Sequence, residues 1–118
     1  TSRGNMRYFK IEDFNCQHTG NNKMSWDFLN KLDDLRHECG IPFVITSGYR
    51  DPSHPIESRK ARPGTHAQGI AADIKINSAF QAHLIMKKAF EAGFNGIGLA
   101  KNFVHVDIRD GVGKSWTY

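Results

Sequence analysis

Gly69-Ile70-Ala71-Ala72-Asp73-Ile74-Lys75-Ile76 is the stretch on which the fold turns. Its apolar side chains fall on every second residue, with Ile70, Ala72, Ile74 and Ile76 facing one way and Ala71, Asp73 and Lys75 the other. A period of two belongs to a β-strand that buries one face. The same alternation returns in Phe103-Val104-His105-Val106-Asp107-Ile108, where Val104, Val106 and Ile108 share the core face and leave His105 and Asp107 opposite. Ile97–Leu99 precedes this second run across a short turn and reads as its hairpin partner. Each of the two alternating runs thus carries a chemically active side chain on its non-core face.

Working outward, the sequence predicts two helices. Ser25 is a suitable N-cap, Asp27 suits the positive end of a helix, and Phe28, Leu32, Leu35 and Cys39 recur at helical spacing until Gly40 and Pro42 stop them. Ser78 with Gln81 makes a capping box for a second helix. It runs to about Ala92, burying Ala82, Ile85, Met86 and Ala89, with Gly93 as its stop. Phe43–Ser47 reads as a further strand, and Tyr8–Phe14 as an ordered N-terminal arm followed by a polar turn region over Asn15–Lys23. From Tyr49 to Gly64, three prolines (Pro52, Pro55 and Pro63) leave no room for a regular element. Helices and strands mix without βαβ regularity, so the expected class is α+β, one domain, with a central largely antiparallel sheet and flanking helices.

The bulk properties narrow the function. A chain of 118 residues is one domain with a modest core, spanning 6–118, and Thr1–Asn5 reads as the remnant of an expression tag. No run approaches the ~20 apolar residues of a membrane span, and no signal peptide is visible. Sixteen Lys and Arg against twelve Asp and Glu leave a net charge of +4, scattered apart from Arg50 to Arg62, where Arg59, Lys60 and Arg62 gather. That patch is either a solvated loop or a cationic rim for an anionic polymer. Nothing resembles a nucleic-acid docking element. Cys16 and Cys39 make no metal motif and are expected as packed, reduced thiols.

His66, seven residues before Asp73, completes with Asp73 and His105 a set of three groups suited to zinc. Catalytic zinc takes three protein ligands and keeps a fourth position for water. Taken singly, His66 reads as a surface loop histidine, and Asp73 and His105 as solvated strand residues; the surrounding sequence is what favours the ligand reading. Asp107, two residues beyond His105, falls on the same strand face, either close enough to a metal-bound water to act as a base or as the acceptor that orients His105. His18, His37 and His83 read as surface histidines and His54 as a solvated loop residue. Trp26 and Trp116 read as packing residues.

Ser47-Gly48-Tyr49-Arg50, Gly64-Thr65-His66 through Asp73, Gly96-Ile97-Gly98 and Phe103 to Asp107, in that order, resemble the M15 peptidases. These are zinc D-Ala-D-Ala carboxypeptidases and their endopeptidase relatives, including phage-encoded wall lysins, and the fold implied is the one they share with the Hedgehog signalling domain. The arm at Ile11–Phe14 and the helix before Gly40-Ile41-Pro42 fit as well. The resemblance makes His66, Asp73 and His105 the ligands of one zinc per chain. It makes Arg50 the group that binds the substrate and stabilises the transition state, with Tyr49 and Ser47 beside it in substrate binding. Two departures stand out. Gly64 replaces the serine two before the first histidine, and Asn102 occupies the position three before the last histidine, where many relatives carry an acidic base.

The function expected is hydrolysis of D-amino-acid-containing peptide bonds in peptidoglycan stem peptides, by a monomer made in the cytoplasm that reaches the wall after release or within a virion. The alternative is a non-catalytic, zinc-bearing binding module of the same fold, which the missing acid at Asn102 keeps open.

Overall fold

A computed structural model describes residues 8–16, 19–20, 22–50, 65–111 and 113–118. The expectations for Thr1–Asn5, His18 and residues 51–64, with His54, Arg59, Lys60, Arg62 and Gly64, lie outside the described residues.

The order along the chain is a 3₁₀ turn (Ile11–Phe14), α1 (Trp26–Cys39), β1 (Ile45–Ser47), β2 (Ala71–Lys75), α2 (Ala79–Ala92), β3 (Gly96–Leu99), β4 (Phe103–Asp107) and β5 (Lys114–Thr117). The strands form one sheet in the order β1-β2-β4-β3-β5, antiparallel at every junction except β3–β5, which is parallel. The α+β class with a largely antiparallel sheet is what the alternating runs imply.

Both helices begin and end where their capping residues lie. Ser25 Oγ accepts from Phe28 N and Ser78 Oγ from Gln81 N, while Gly40 and Gly93 take the left-handed conformation that stops each helix. α1 packs against α2, and Phe28 meets Phe94 edge-on at 6.1 Å between ring centres. The core gathers Phe14, Phe28, Leu32 and Ile85 over the inner sheet face, which contributes Ile74, Val104 and Val106. Each such side chain taken fully out of water contributes about 1.5–3 kcal/mol.

Three elements differ from the sequence reading. The first strand starts at Ile45 rather than Phe43; Phe43 is buried, Val44 is exposed, and an irregular register between Ile45 and Ser47 shortens the pairing with β2. β5 was not anticipated, because Lys-Ser-Trp-Thr carries no apolar alternation and pairs on one edge only. Met86 is partly rather than fully buried. His37 and His83 are exposed, and His37 Nδ1 lies 2.8 Å from Tyr8 Oη. Among the described residues, no helix is long and apolar enough to cross a membrane.

Cys16 and Cys39 are both buried and no disulfide joins them. Burial pushes the Cys39 thiol from its ordinary 9.0 up to about 11, against the pull of Lys88 and Arg36. The native thiol therefore stays neutral where the unfolded one ionises, so this group's contribution to stability is present below pH 9 and is lost as pH rises toward 11. Native protein at pH 8 should react slowly with a thiol reagent, and denaturation without reductant should release both of its two thiols. Recovery of no thiols, with a mass two hydrogens lighter, would show a disulfide instead.

Candidate metal centre

Register brings the site together. In the β2–β4 ladder Asp73 stands directly opposite His105, and Ala71 opposite Asp107. Their neighbours Ala72, Ile74, Val104 and Val106 point into the core, so the carboxylate and imidazole emerge side by side on the outer face. β1 adds Ser47 next to Asp73 on the other flank.

His66 comes from the turn that leads into β2. Ile70 N donates to Thr65 O, Gly69 N to His66 O, and Arg50 N to the same His66 carbonyl. Gly69 sits at φ +74°, and a Cβ there would collide with the Lys23 carbonyl at 2.1 Å, so both the backbone angle and the space demand glycine. His66 Nδ1–H donates to the Gly48 carbonyl over 2.8 Å, which turns Nε2 toward Asp73 Oδ1 at 3.3 Å. Gly48 is itself held close to Phe14, where a Cβ would meet the Phe14 backbone at 2.6 Å.

His105 is oriented from its other side. Its Nε2–H donates to Asp107 Oδ2 over 2.7 Å, leaving Nδ1 3.0 Å from Asp73 Oδ1. Asp107 is wholly buried and also accepts from Arg109, whose Nε and Nη2 grip the carboxylate at 2.7–3.1 Å. The glycines of β3 make the room. Gly96 pairs with Asp107 and Gly98 with His105; a Cβ at Gly96 would lie 2.2 Å from the Asp107 carboxylate, and one at Gly98 would lie 2.5 Å from the Trp116 indole nitrogen.

The ligand atoms of His66, Asp73 and His105 all lie within 4.8 Å of one another, and all three residues are buried. Donors at zinc bond lengths of about 2 Å in a tetrahedron stand roughly 3.3 Å apart, which matches the 3.3 and 3.0 Å separations from Asp73. Each imidazole has one nitrogen tied to an oxygen acceptor and the other aimed inward, the arrangement that metal-ligating histidines require. The donor set therefore fits a zinc-type ion.

Electrostatics agree. Burial works against charge on Asp73, but without an ion the His105 and His66 rings, when protonated, bond to it from both sides and hold the carboxyl down at about 2. Burial likewise opposes charge on His105, and the Asp107 and Asp73 carboxylates overcome it and raise its pKa. Asp107 is also desolvated, yet the bonds from His105 and Arg109 keep it well below the usual carboxylate range. Asp73 and Asp107 thus both stay charged: Arg109 answers Asp107, and Asp73 is left as the anionic donor between the two imidazoles.

The cluster opens on a cleft of about 780 Å³ lined by His66, Asp73, His105 and Arg50, together with Arg109, Asp110, Trp116 and Tyr118. Arg50 Nη2 donates to Ser47 Oγ over 3.4 Å, so both lie beside the cluster. Tyr49 does not line the cleft; its side chain is buried in the core and its backbone N–H donates to Phe14 O. Asn102 lies in the exposed turn before β4, where its carbonyl accepts from Ile76 N. Sequence reading missed Arg109 and Tyr118 and took Trp116 for packing alone, yet Trp116 stands 5.2 Å from the His105 ring and forms a wall of the cleft. The lone signal was the alternation of Trp116 and Tyr118 near the chain's end.

Because Asp107 is clamped between His105 and Arg109, it cannot swing aside for a methyl group at Gly96. Gly96→Ala should weaken metal affinity by about 10–100-fold, as Asp107→Asn should, since both release the far side of His105. Competition with a chelating dye measures this, and unchanged affinity in both variants would show that Asp107 does not support the site.

Comparison with curated proteins gives no match. A family model, described as Peptidase M15, matches residues 7–107 and so spans every donor of the cluster together with Arg50 and Asp107. On that match the chain belongs to the peptidase M15 family.

Proposed function

We propose that this M15 peptidase hydrolyses D-amino-acid-containing peptide bonds in bacterial peptidoglycan, as a D,D-carboxypeptidase or endopeptidase holding one zinc at His66, Asp73 and His105. The observation that carries the reading is the convergence of these three donors at the floor of a cleft walled by Arg50. Zinc bound there would act as a Lewis acid, polarising water and the scissile carbonyl. Arg50 supplies fixed positive charge for the oxyanion that develops during hydrolysis, and Ser47 steadies its guanidinium. Tyr49 supports Arg50 from the core rather than touching substrate.

Of the two roles open to Asp107, its burial and its bonds to His105 and Arg109 support orientation of the ligand over proton transfer. Besides the ligand Asp73, Asp110 is the acidic residue that lines the cleft among the described residues, which makes it the better candidate to accept a proton. The protein works as a monomer on wall stem peptides, in a phage or bacterial lysin that meets the wall after release or within a virion.

Digestion of purified cell wall by the zinc-loaded protein, read by mass spectrometry of the muropeptides, tests the function and names the bond. Wild type should release new peptide termini next to D-residues. His66→Ala and His105→Ala should lose both zinc and activity; full zinc retention in either would remove that residue from the ligand set. A wild type that binds one zinc and leaves the wall intact would favour the non-catalytic binding module.

Arg50→Lys keeps the charge and loses the planar fork. Turnover should fall at least about tenfold, roughly 1.4 kcal/mol of transition-state stabilisation, with zinc content and melting temperature close to wild type. Unchanged cleavage in that variant would contradict the assignment.

A further inference from the structure

The cleft contains a second arginine, which the catalytic reading uses only to hold Asp107. Arg109 Nε donates to both Asp107 oxygens, at 3.0 and 3.1 Å, and Nη2 donates to Oδ2 at 2.7 Å. One face of the guanidinium lies over the Trp116 ring, 4.8 Å from its centre. The group is thus held along one edge by a buried carboxylate and across one face by an indole. Its side chain nevertheless remains 27% exposed and lines the cleft. Among the described residues Nη1 has no hydrogen-bond partner, and Asp110, which lines the same cleft, makes no ion pair with it.

We infer that Arg109 is a binding residue for a carboxylate of the peptide substrate, presented by its Nη1 edge on the wall formed with Trp116. This rests on the reading of the cleft as a peptide site. Guanidinium–carboxylate bonds are among the stronger hydrogen bonds in proteins, and their strength in water is limited by the cost of ordering a long side chain. Here Asp107 and Trp116 have already ordered it. The guanidinium carries one positive charge, partly answered by Asp107, and its outward edge still offers two N–H donors. Arg109 and Arg50 line one cleft, so the two cations divide the work: Arg50 at the carbonyl that reacts, Arg109 at a carboxylate that does not. A carboxylate in the substrate can be the free C-terminus or the side group of a γ-linked D-glutamyl residue, and both offer Arg109 the same two oxygens.

The test compares ligand pairs that differ only in carboxylate against amide, on zinc-loaded protein, by calorimetry. N-acetyl-D-alanine against its amide probes the C-terminal source, and a short γ-D-glutamyl peptide against its D-isoglutamine counterpart probes the side group. Wild type should bind the acid of at least one pair about tenfold more tightly or better. Arg109→Gln and Arg109→Lys should each bring that ratio close to one; lysine retains charge but cannot hold Asp107 and offer an outward edge together. Zinc content is measured in both, so that a variant which loses the metal is set aside in favour of the other, and loss of zinc from both would show that Arg109 serves the metal site and would overturn the assignment. Zinc also attracts carboxylates, and a preference owed to the metal alone would persist in a zinc-retaining variant, which would overturn the assignment. So would equal binding of acid and amide by wild type. If L- and D-ligands show the same Arg109-dependent preference while cell wall stays intact, Arg109 keeps its role and the peptidoglycan reading falls.

Discussion

The Asp73–His105 pairing across β2 and β4 is the constraint on which the rest depends. A slip of one residue by β2 along β4 would turn Asp73 into the core, bring Ile74 out to the cleft and part the carboxylate from His105. The apolar residues that prevent the slip are the nearest neighbours of the chemical ones. Ile74, Val104 and Val106 have no exposure at all, and their burial in the core, with α2 packed over β4 and β3, keeps the outer face aimed at the cleft. The energy of the core thereby becomes the positional accuracy of the site.

Support then spreads outward in two directions. On one side it runs from His66 through the Gly48 carbonyl to Phe14. On the other it runs from His105 through Asp107 to Arg109 and Trp116. Each donor nitrogen is chosen by what its ring holds on the opposite edge, and each acceptor is in turn pinned by a third group. The glycines at 48, 69, 96 and 98 belong to the same scheme, because in each case a methyl group would occupy space already taken by backbone or by a supporting side chain.

Much of this was legible in the residues. Alternation in Ile70–Ile76 and Phe103–Ile108 gave the two central strands and the face of Asp73, His105 and Asp107, and Ser25, Ser78, Gly40 and Gly93 marked the helix ends. The order of the motifs carried the family. What escaped was decided by partners far away in the chain. β5 exists because β3 offers it an edge, a contact that leaves no period in Lys114–Thr117. Arg109 looks like any surface arginine until Asp107 is seen to be buried beside it. Tyr49 sits next to Arg50 in sequence, yet its side chain goes into the core while Arg50 lines the cleft, a division that neither residue type announces.

The chain of contacts from the cluster to Phe14 has a consequence for the far end of the molecule. The 3₁₀ turn is tied to Tyr49 and Gly48 by backbone contact, and Gly48 is tied to His66. Any ion that binds only the assembled cluster stabilises the native state by mass action, and that free energy is shared by every segment whose detachment would dissolve the cluster. The N-terminal arm is such a segment, although it contributes no ligand. Its resistance to proteolytic trimming and to hydrogen exchange is therefore thermodynamically linked to metal supply, so that a metal-starved protein would fray first at a place with no visible connection to the metal.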